Sequence, residues 1–173
     1  FYSVKGRLPG APKTPVLISA LSPRSFRVAG AHSDGAISWL GPLDYLKRTA
    51  RPGLERGAAE AGRDEVPPLV THVSVAMTPD RDASRAAAQK ELGSYTQLPF
   101  YTNMFAEAGY PISNGVYSDP LLDQLVIFGD DDAVGEQLVA LLDQGFDELL
   151  VMPVPVTDRE GEEARLIELI GKL

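Results

Sequence analysis

Short apolar runs alternate along the chain with longer segments whose apolar residues recur at helical spacing. Val16 to Leu21 is rich in strand formers, with Pro15 before it and Ser22-Pro23 after it, and is predicted as a strand. Ser22-Pro23 reads as an N-cap followed by proline at the first helical position, so a helix is expected to about Ser33. Within it Phe26, Ala29 and Gly30 share one face. Asp34-Gly35 marks a turn and Ala36 to Leu40 a second strand. Pro42 opens a helical stretch through Leu43, Leu46 and Lys47. Arg51-Pro52-Gly53 interrupts it, predicting a kink or a restart before it runs on through Arg63. Leu69 to Met77, β-branched and apolar between Pro67-Pro68 and Thr78-Pro79, is the clearest strand.

Asp80 to Leu92 is alanine-rich and helical by propensity, and leads into the aromatic segment Tyr95 to Phe105, where Pro99 separates two helical pieces. Ser118-Asp119-Pro120 repeats the cap-plus-proline signature. It predicts a short helix through Leu121, Leu122, Leu125, Val126 and Phe128, ending at Gly129, although Leu125 to Phe128 alone would pass for a strand. Asp130-Asp131-Asp132 begins the next helix, where carboxylates suit the positive end of the macrodipole, and Gly145 ends it. Glu148 to Val156 is the fourth strand, interrupted by Pro153 and Pro155 near its end. Asp158 to Leu173 is the closing helix, with Leu166, Ile167 and Ile170 on one face. This alternation calls for parallel strands joined by helical crossovers, hence an α/β fold. A doubly wound sheet and a (β/α)8 barrel both meet the pattern, and four strands cannot close a barrel by themselves.

Composition narrows the picture. A chain of 173 residues with 44% hydrophobic and 23% charged content suits one or two compact units. With 16 Lys and Arg against 24 Asp and Glu the net charge is -8, which sets nucleic acid aside as a partner. The absence of cysteine removes disulfides, zinc-thiolate sites, iron-sulfur clusters and thiol nucleophiles together. With no apolar run of membrane-spanning length and no signal-peptide pattern, a soluble, cytoplasmic protein without a membrane partner is expected. The sequence begins Phe1-Tyr2-Ser3 with no initiator methionine, which fits a processed product, a fragment or the ordered part of something longer.

Parallel α/β proteins bind ligands at the carboxyl ends of their strands, here Ala20 to Arg24, Ser38 to Pro42, Met77 to Arg81 and Pro153 to Asp158. Ser22 offers a hydroxyl and the free N–H groups of a helix start, close to Arg24, which suits a phosphate; equally, Ser22 caps its helix and Arg24 is solvated. No G-x-G-x-x-G follows a strand, and neither a P-loop nor a G-x-S-x-G elbow occurs. His32 and His72 lack a paired ligand spacing and read as structural, so no metal site is expected. Trp39, at a strand end, is a cofactor wall or ordinary packing. Tyr95, Phe100, Tyr101 and Phe105 read as packing for a helical insertion.

The run PVLISALSPRSFRVAGAHSDGAISWLGPLDYL, Pro15 to Leu46, resembles the middle of luciferase-like, flavin-dependent oxidoreductases. Val75-Ala76-Met77 followed by Asp82 to Tyr95, Leu98-Pro99-Phe100-Tyr101 and Ala108-Gly109 is similar to the family's next strand and long helical region. Asp130 to Val156 is similar to its end. The resemblance implies an α/β fold that is the C-terminal half of a (β/α)8 TIM-type barrel, strands five to eight with their helices, carrying a helical insertion around residues 80–129. The first four βα units, which in the family carry much of the isoalloxazine pocket and the polar residues acting on substrate, have no counterpart here, so no catalytic residue is placed.

What the resemblance carries over is the loop after the family's fifth strand, which approaches the flavin or deazaflavin phosphate. It matches Ala20, Leu21, Ser22, Pro23 and Arg24, with Ser38 and Trp39 as further candidates for the same cavity. It implies hydride transfer between a small organic substrate and deazaflavin coenzyme F420 or FMN, leaning to deazaflavin. The alternative is a non-catalytic half-barrel that binds a phosphate-bearing ligand or pairs with another half. Expected partners are the cofactor, the substrate, and a missing N-terminal half or a second half-barrel, a homodimer included.

Overall fold

The computed structural model describes Gly10 and residues 14–173; the Phe1-Tyr2-Ser3 start lies outside the described residues. The chain runs β1 (Leu17–Ser19), α1 (Pro23–His32), β2 (Gly35–Ser38), α2 (Leu43–Glu60), β3 (Leu69–Ala76) and α3 (Arg81–Leu92). It continues through a 3-10 turn (Gly93–Gln97), α4 (Pro99–Ala108), α5 (Asp119–Leu125), β4 (Val126–Phe128), α6 (Asp131–Asp143), β5 (Glu148–Pro153) and α7 (Arg159–Ile170). No described helix is long and apolar enough to cross a membrane.

Every described strand pairing is parallel. β1 pairs with β2, β2 with the start of β3 (Ala36 opposite Leu69), and β5 with nearly all of β3 (Val70 opposite Glu148 to Val75 opposite Pro153). Successive carbonyls of a strand point to opposite edges. The Pro68 and Ala76 carbonyls accept from Ala36 and Gly129, whereas those of Leu69 and Val75 accept from Asp147 and Val154. β2 and β4 therefore share one edge of β3, end to end, and β5 holds the other. With β4 sharing the β2 edge of β3, the strands run β1, β2, β3 and β5 across the sheet without reversal, as consecutive strands of a (β/α)8 barrel do, and unlike a doubly wound sheet.

Three expectations are corrected. Val126 to Phe128 is a strand, not the end of a helix: β2 leaves β3 at Ser38, and the vacated edge beside Ser74 to Ala76 takes up the β-branched Val126 and Ile127. α2 passes through Pro52 unbroken from Leu43 to Glu60, because the stripe Tyr45, Leu46, Ala50, Leu54, Gly57 and Ala58 is buried on both sides of the proline, which outweighs one lost hydrogen bond. On α7 the buried positions are Glu162 and Leu166, with Leu169 packed beside them, while Ile167 is 71% exposed.

The two sheet faces differ. Ala20, Ala36, Ser38, Leu69, Thr71, Val73 and Val75 share one face by register and are buried throughout. The opposite face carries Leu17, Ile37, Val70, His72 and Leu150. It is covered in the middle but open at its outer strands, where Leu17 is 40% and Leu150 43% exposed.

Candidate functional site

The carboxyl end of β1 continues one bond past the strand, with the Ala20 N–H donating to the Ile37 carbonyl at 2.9 Å, which draws Ala20 into the core. Ser22 then caps α1 in a reciprocal box with Ser25. The Ser25 N–H donates to Ser22 Oγ at 3.2 Å, and the N–H groups of Leu21 and Ser22 donate to Ser25 Oγ at 3.0 and 2.8 Å. The cradle of free amides expected from the sequence is thus filled by the Ser25 hydroxyl. Pro23 has no N–H, which leaves that of Arg24 as the junction donor without an internal acceptor. The two hydroxyls lie 3.1 Å apart.

A cavity of about 470 Å3 opens at this junction, with Leu21, Ser22 and Ser25 on one side and Phe100, Asn103, Met104 and Glu107 of α4 on the other. Of the insertion's aromatics, Phe105 is buried as packing, whereas Tyr101, also buried, and Phe100, 55% exposed, both border the cavity. Tyr45 reaches over from α2, its hydroxyl donating to the Leu21 carbonyl at 3.2 Å. Burial, and after it the Glu107 carboxylate, push the Tyr45 pKa up to about 12, so it remains a donor.

The other sequence candidates are not gathered there. The Pro23 and Arg24 side chains border a separate cleft between α1 and α2. Ser38 is buried on the helix-covered face with its hydroxyl unpartnered. Trp39, just past β2, stacks on His72 of β3 with ring centroids 3.9 Å apart and planes 28° apart. The indole N–H and both imidazole nitrogens are buried without a hydrogen-bond partner. His72 thus packs against Trp39 in the interior of the protein. Its register, one step beyond the Ser38–Thr71 pair, was the signal that would have joined it to Trp39. Ser25 was legible as the third residue after the cap; Asn103 and Glu107 left no sequence signal.

What suits the anionic end of a phosphate-bearing cofactor is the Ser22 hydroxyl and one unused helix-start N–H, since the Ser25 hydroxyl donates to the Ser22 carbonyl at 2.9 Å. Parallel strands in sequential order with a cavity at their carboxyl end are what part of a (β/α)8-type fold presents. Residues 3–148 match the luciferase-like monooxygenase family, and the chain belongs to it. No curated protein matches the chain.

Solved structures similar to it include an F420-dependent secondary alcohol dehydrogenase in complex with an F420-acetone adduct, with TM-score 0.73 and 17% identity over 92% of this chain and 49% of that one. A coenzyme F420-dependent tetrahydromethanopterin reductase from Methanopyrus kandleri aligns at TM-score 0.57 and 21% identity, over 91% and 49%. The oxygenating constituent of 3,6-diketocamphane monooxygenase from Pseudomonas putida, a type II Baeyer-Villiger monooxygenase in complex with FMN, aligns at TM-score 0.56 and 20% identity, over 94% and 48%. The chain spans about half the length of each of these structures.

Proposed function

We propose that this chain is the C-terminal half of a (β/α)8 oxidoreductase that moves a hydride between a small organic substrate and coenzyme F420 or FMN, and that it holds the cofactor's phosphate end. The observation that carries this reading is the Ser22–Ser25 cavity at the carboxyl end of β1, beside a sheet face left open at both outer strands. The Ser22 hydroxyl and the Arg24 N–H would hold the phosphate, with Ser25 fixing the junction that presents them, Leu21 lining the cavity, and Ala20 and Pro23 fixing the backbone path. Trp39, with its unpartnered N–H, lies at the neighbouring strand end, toward the ring of the cofactor, while Ser38 supports that strand end from the helix-covered face. When bound, the cofactor supplies the redox chemistry; the residues of this chain orient it and exclude water.

The remaining walls come from four preceding βα units, in the same polypeptide or another. The likeness to structures twice as long supports this, as do the open face and the unpaired outer edges of β1 and β5 among the described residues. Fluorescence titration of F420 and FMN, with native mass measured on the cofactor-binding species, tests the reading. Binding is expected in a species near twice 18.6 kDa or larger, and Ser22→Ala with Ser25→Ala is expected to weaken it about tenfold. Tight binding by an isolated 18.6 kDa monomer would remove the need for a second half. Unchanged affinity in the double variant would remove the phosphate site.

A further inference from the structure

Basic side chains are outnumbered in this chain, 16 against 24, yet four of them converge on one cleft of the outer helical layer. Arg24 and Arg27 of α1 and Arg48 and Arg56 of α2 line a concavity of about 570 Å3, together with Thr49 and Pro52, and no carboxylate lines it. The sequence spacing produces the convergence, since Arg24 and Arg27 are one turn apart on α1, and Arg48, Pro52 and Arg56 follow one another at i, i+4 and i+8 on α2. Glycine lets the helices close: a Cβ on Gly53 would lie 2.7 Å from the Phe26 Cβ.

These charges are poorly compensated. Arg27 pairs with Glu60 at the rim, at 2.6 Å. Arg48 donates to the carbonyls of Asp44 at 3.2 Å and Ala108 at 3.3 Å, contacts that fix its position without neutralising it. Arg24 and Arg56 make no ion pair or side-chain hydrogen bond among the described residues, and residues 1–13 contain no Asp or Glu. Arg24 and Arg27 also border the neighbouring concavity that holds Glu60, so the cleft sets four guanidiniums against one nearby carboxylate, an excess of positive charge that favours an anion.

We propose that this cleft binds a small, multiply charged phosphate ester, at a site distinct from the Ser22 cavity. Guanidinium forks match phosphate oxygens two at a time, and the volume suits a ligand of nucleotide size. The chain's net charge of -8 repels nucleic acid and anionic membranes, whose charge extends past the roughly 8 Å screening length, whereas a small anion inside the cleft senses the arginines.

Isothermal titration of the full chain with inorganic pyrophosphate tests this. Saturable binding is expected, weakening as salt rises from about 50 to 200 mM. R24A/R56A is expected to lower affinity at least about tenfold with an unchanged melting temperature, and R24K/R56K to fall between, since lysine keeps the charge and loses the fork. S25A, in the neighbouring cavity, is expected to leave pyrophosphate affinity unchanged. The proposal is overturned by absence of saturable binding at low salt, by equal affinity in R24A/R56A, or by a loss that follows S25A instead. Binding to phosphatidylserine vesicles in place of pyrophosphate would overturn it too.

Discussion

Two single residues both cost the fold stability in acid, one because its charged form is held and the other because its charged form is refused. Glu162 is buried, and its carboxylate accepts the N–H groups of Val156 and Thr157 at 2.8 Å each and of Asp158 at 3.1 Å, as well as the Thr157 hydroxyl at 3.0 Å. Burial opposes its charge, but the three backbone donors prevail and hold its pKa below the ordinary carboxylate value. Its stabilising contribution is therefore present above the unfolded pKa and lost as pH falls through the folded one. Glu162→Gln is expected to lower stability by about 2 kcal/mol near neutral pH, with the deficit shrinking on acidification, as denaturant melts across pH would read.

His72 loses stability in acid for the converse reason, because burial disfavours its charged form and pulls its pKa from 6.5 down to about 4. Between those values the unfolded chain binds a proton that the folded chain refuses, so stability drops by up to roughly 3 kcal/mol as pH falls across that window. His72→Phe, which keeps the stack on Trp39 and removes two unpartnered nitrogens, is expected to flatten this slope and to raise the melting point more in mild acid than at alkaline pH. A slope unchanged in the variant would place the titration elsewhere.

At the scale of elements, the α1–α2 pair is set by glycine. A Cβ on Gly30 would collide with the Leu54 carbonyl, and one on Gly57 with the Arg27 carbonyl, so both contacts are backbone against backbone and neither can yield by a rotamer change. Gly57→Ala is expected to destabilise by about 2–3 kcal/mol despite the better helix propensity of alanine. Gly93→Ala, whose Cβ would meet nothing nearer than the Gln89 side chain at 3.7 Å, is expected to change the melting point little. The same pair shows what the sequence could reveal. Phe26, Ala29 and Gly30 were readable as the buried stripe of α1 because helical periodicity is local. That α2 would survive Pro52 was not, because the compensating burial comes from another element. Val126 to Phe128 failed for a similar reason: its strand state depends on an edge of β3 that only the tertiary arrangement vacates. The cavity followed suit. Ser22 was legible as a cap, while Glu107 and Asn103 reach it only because α4 folds back over the junction.

For the molecule as a whole, the open sheet face decides whether the chain works alone. Leu17 and Leu150 sit on the two outer strands, on the same face as His72, and both are exposed large hydrophobics. Because Leu150 already faces solvent, Leu150→Lys is expected to change the stability of the isolated chain by less than about 0.5 kcal/mol. If four further βα units cover this face, the same lysine becomes a buried charge without a partner at the centre of that contact. The variant should then lose the larger native mass and weaken F420 or FMN binding at least about tenfold, although it never touches the Ser22 cavity. Stability and assembly therefore separate: an unchanged melting curve of the isolated chain with lost native mass locates the second half on this face. Unchanged native mass and cofactor affinity in Leu150→Lys would mean the face stays open in the working protein, and that the cofactor's ring is enclosed by other means.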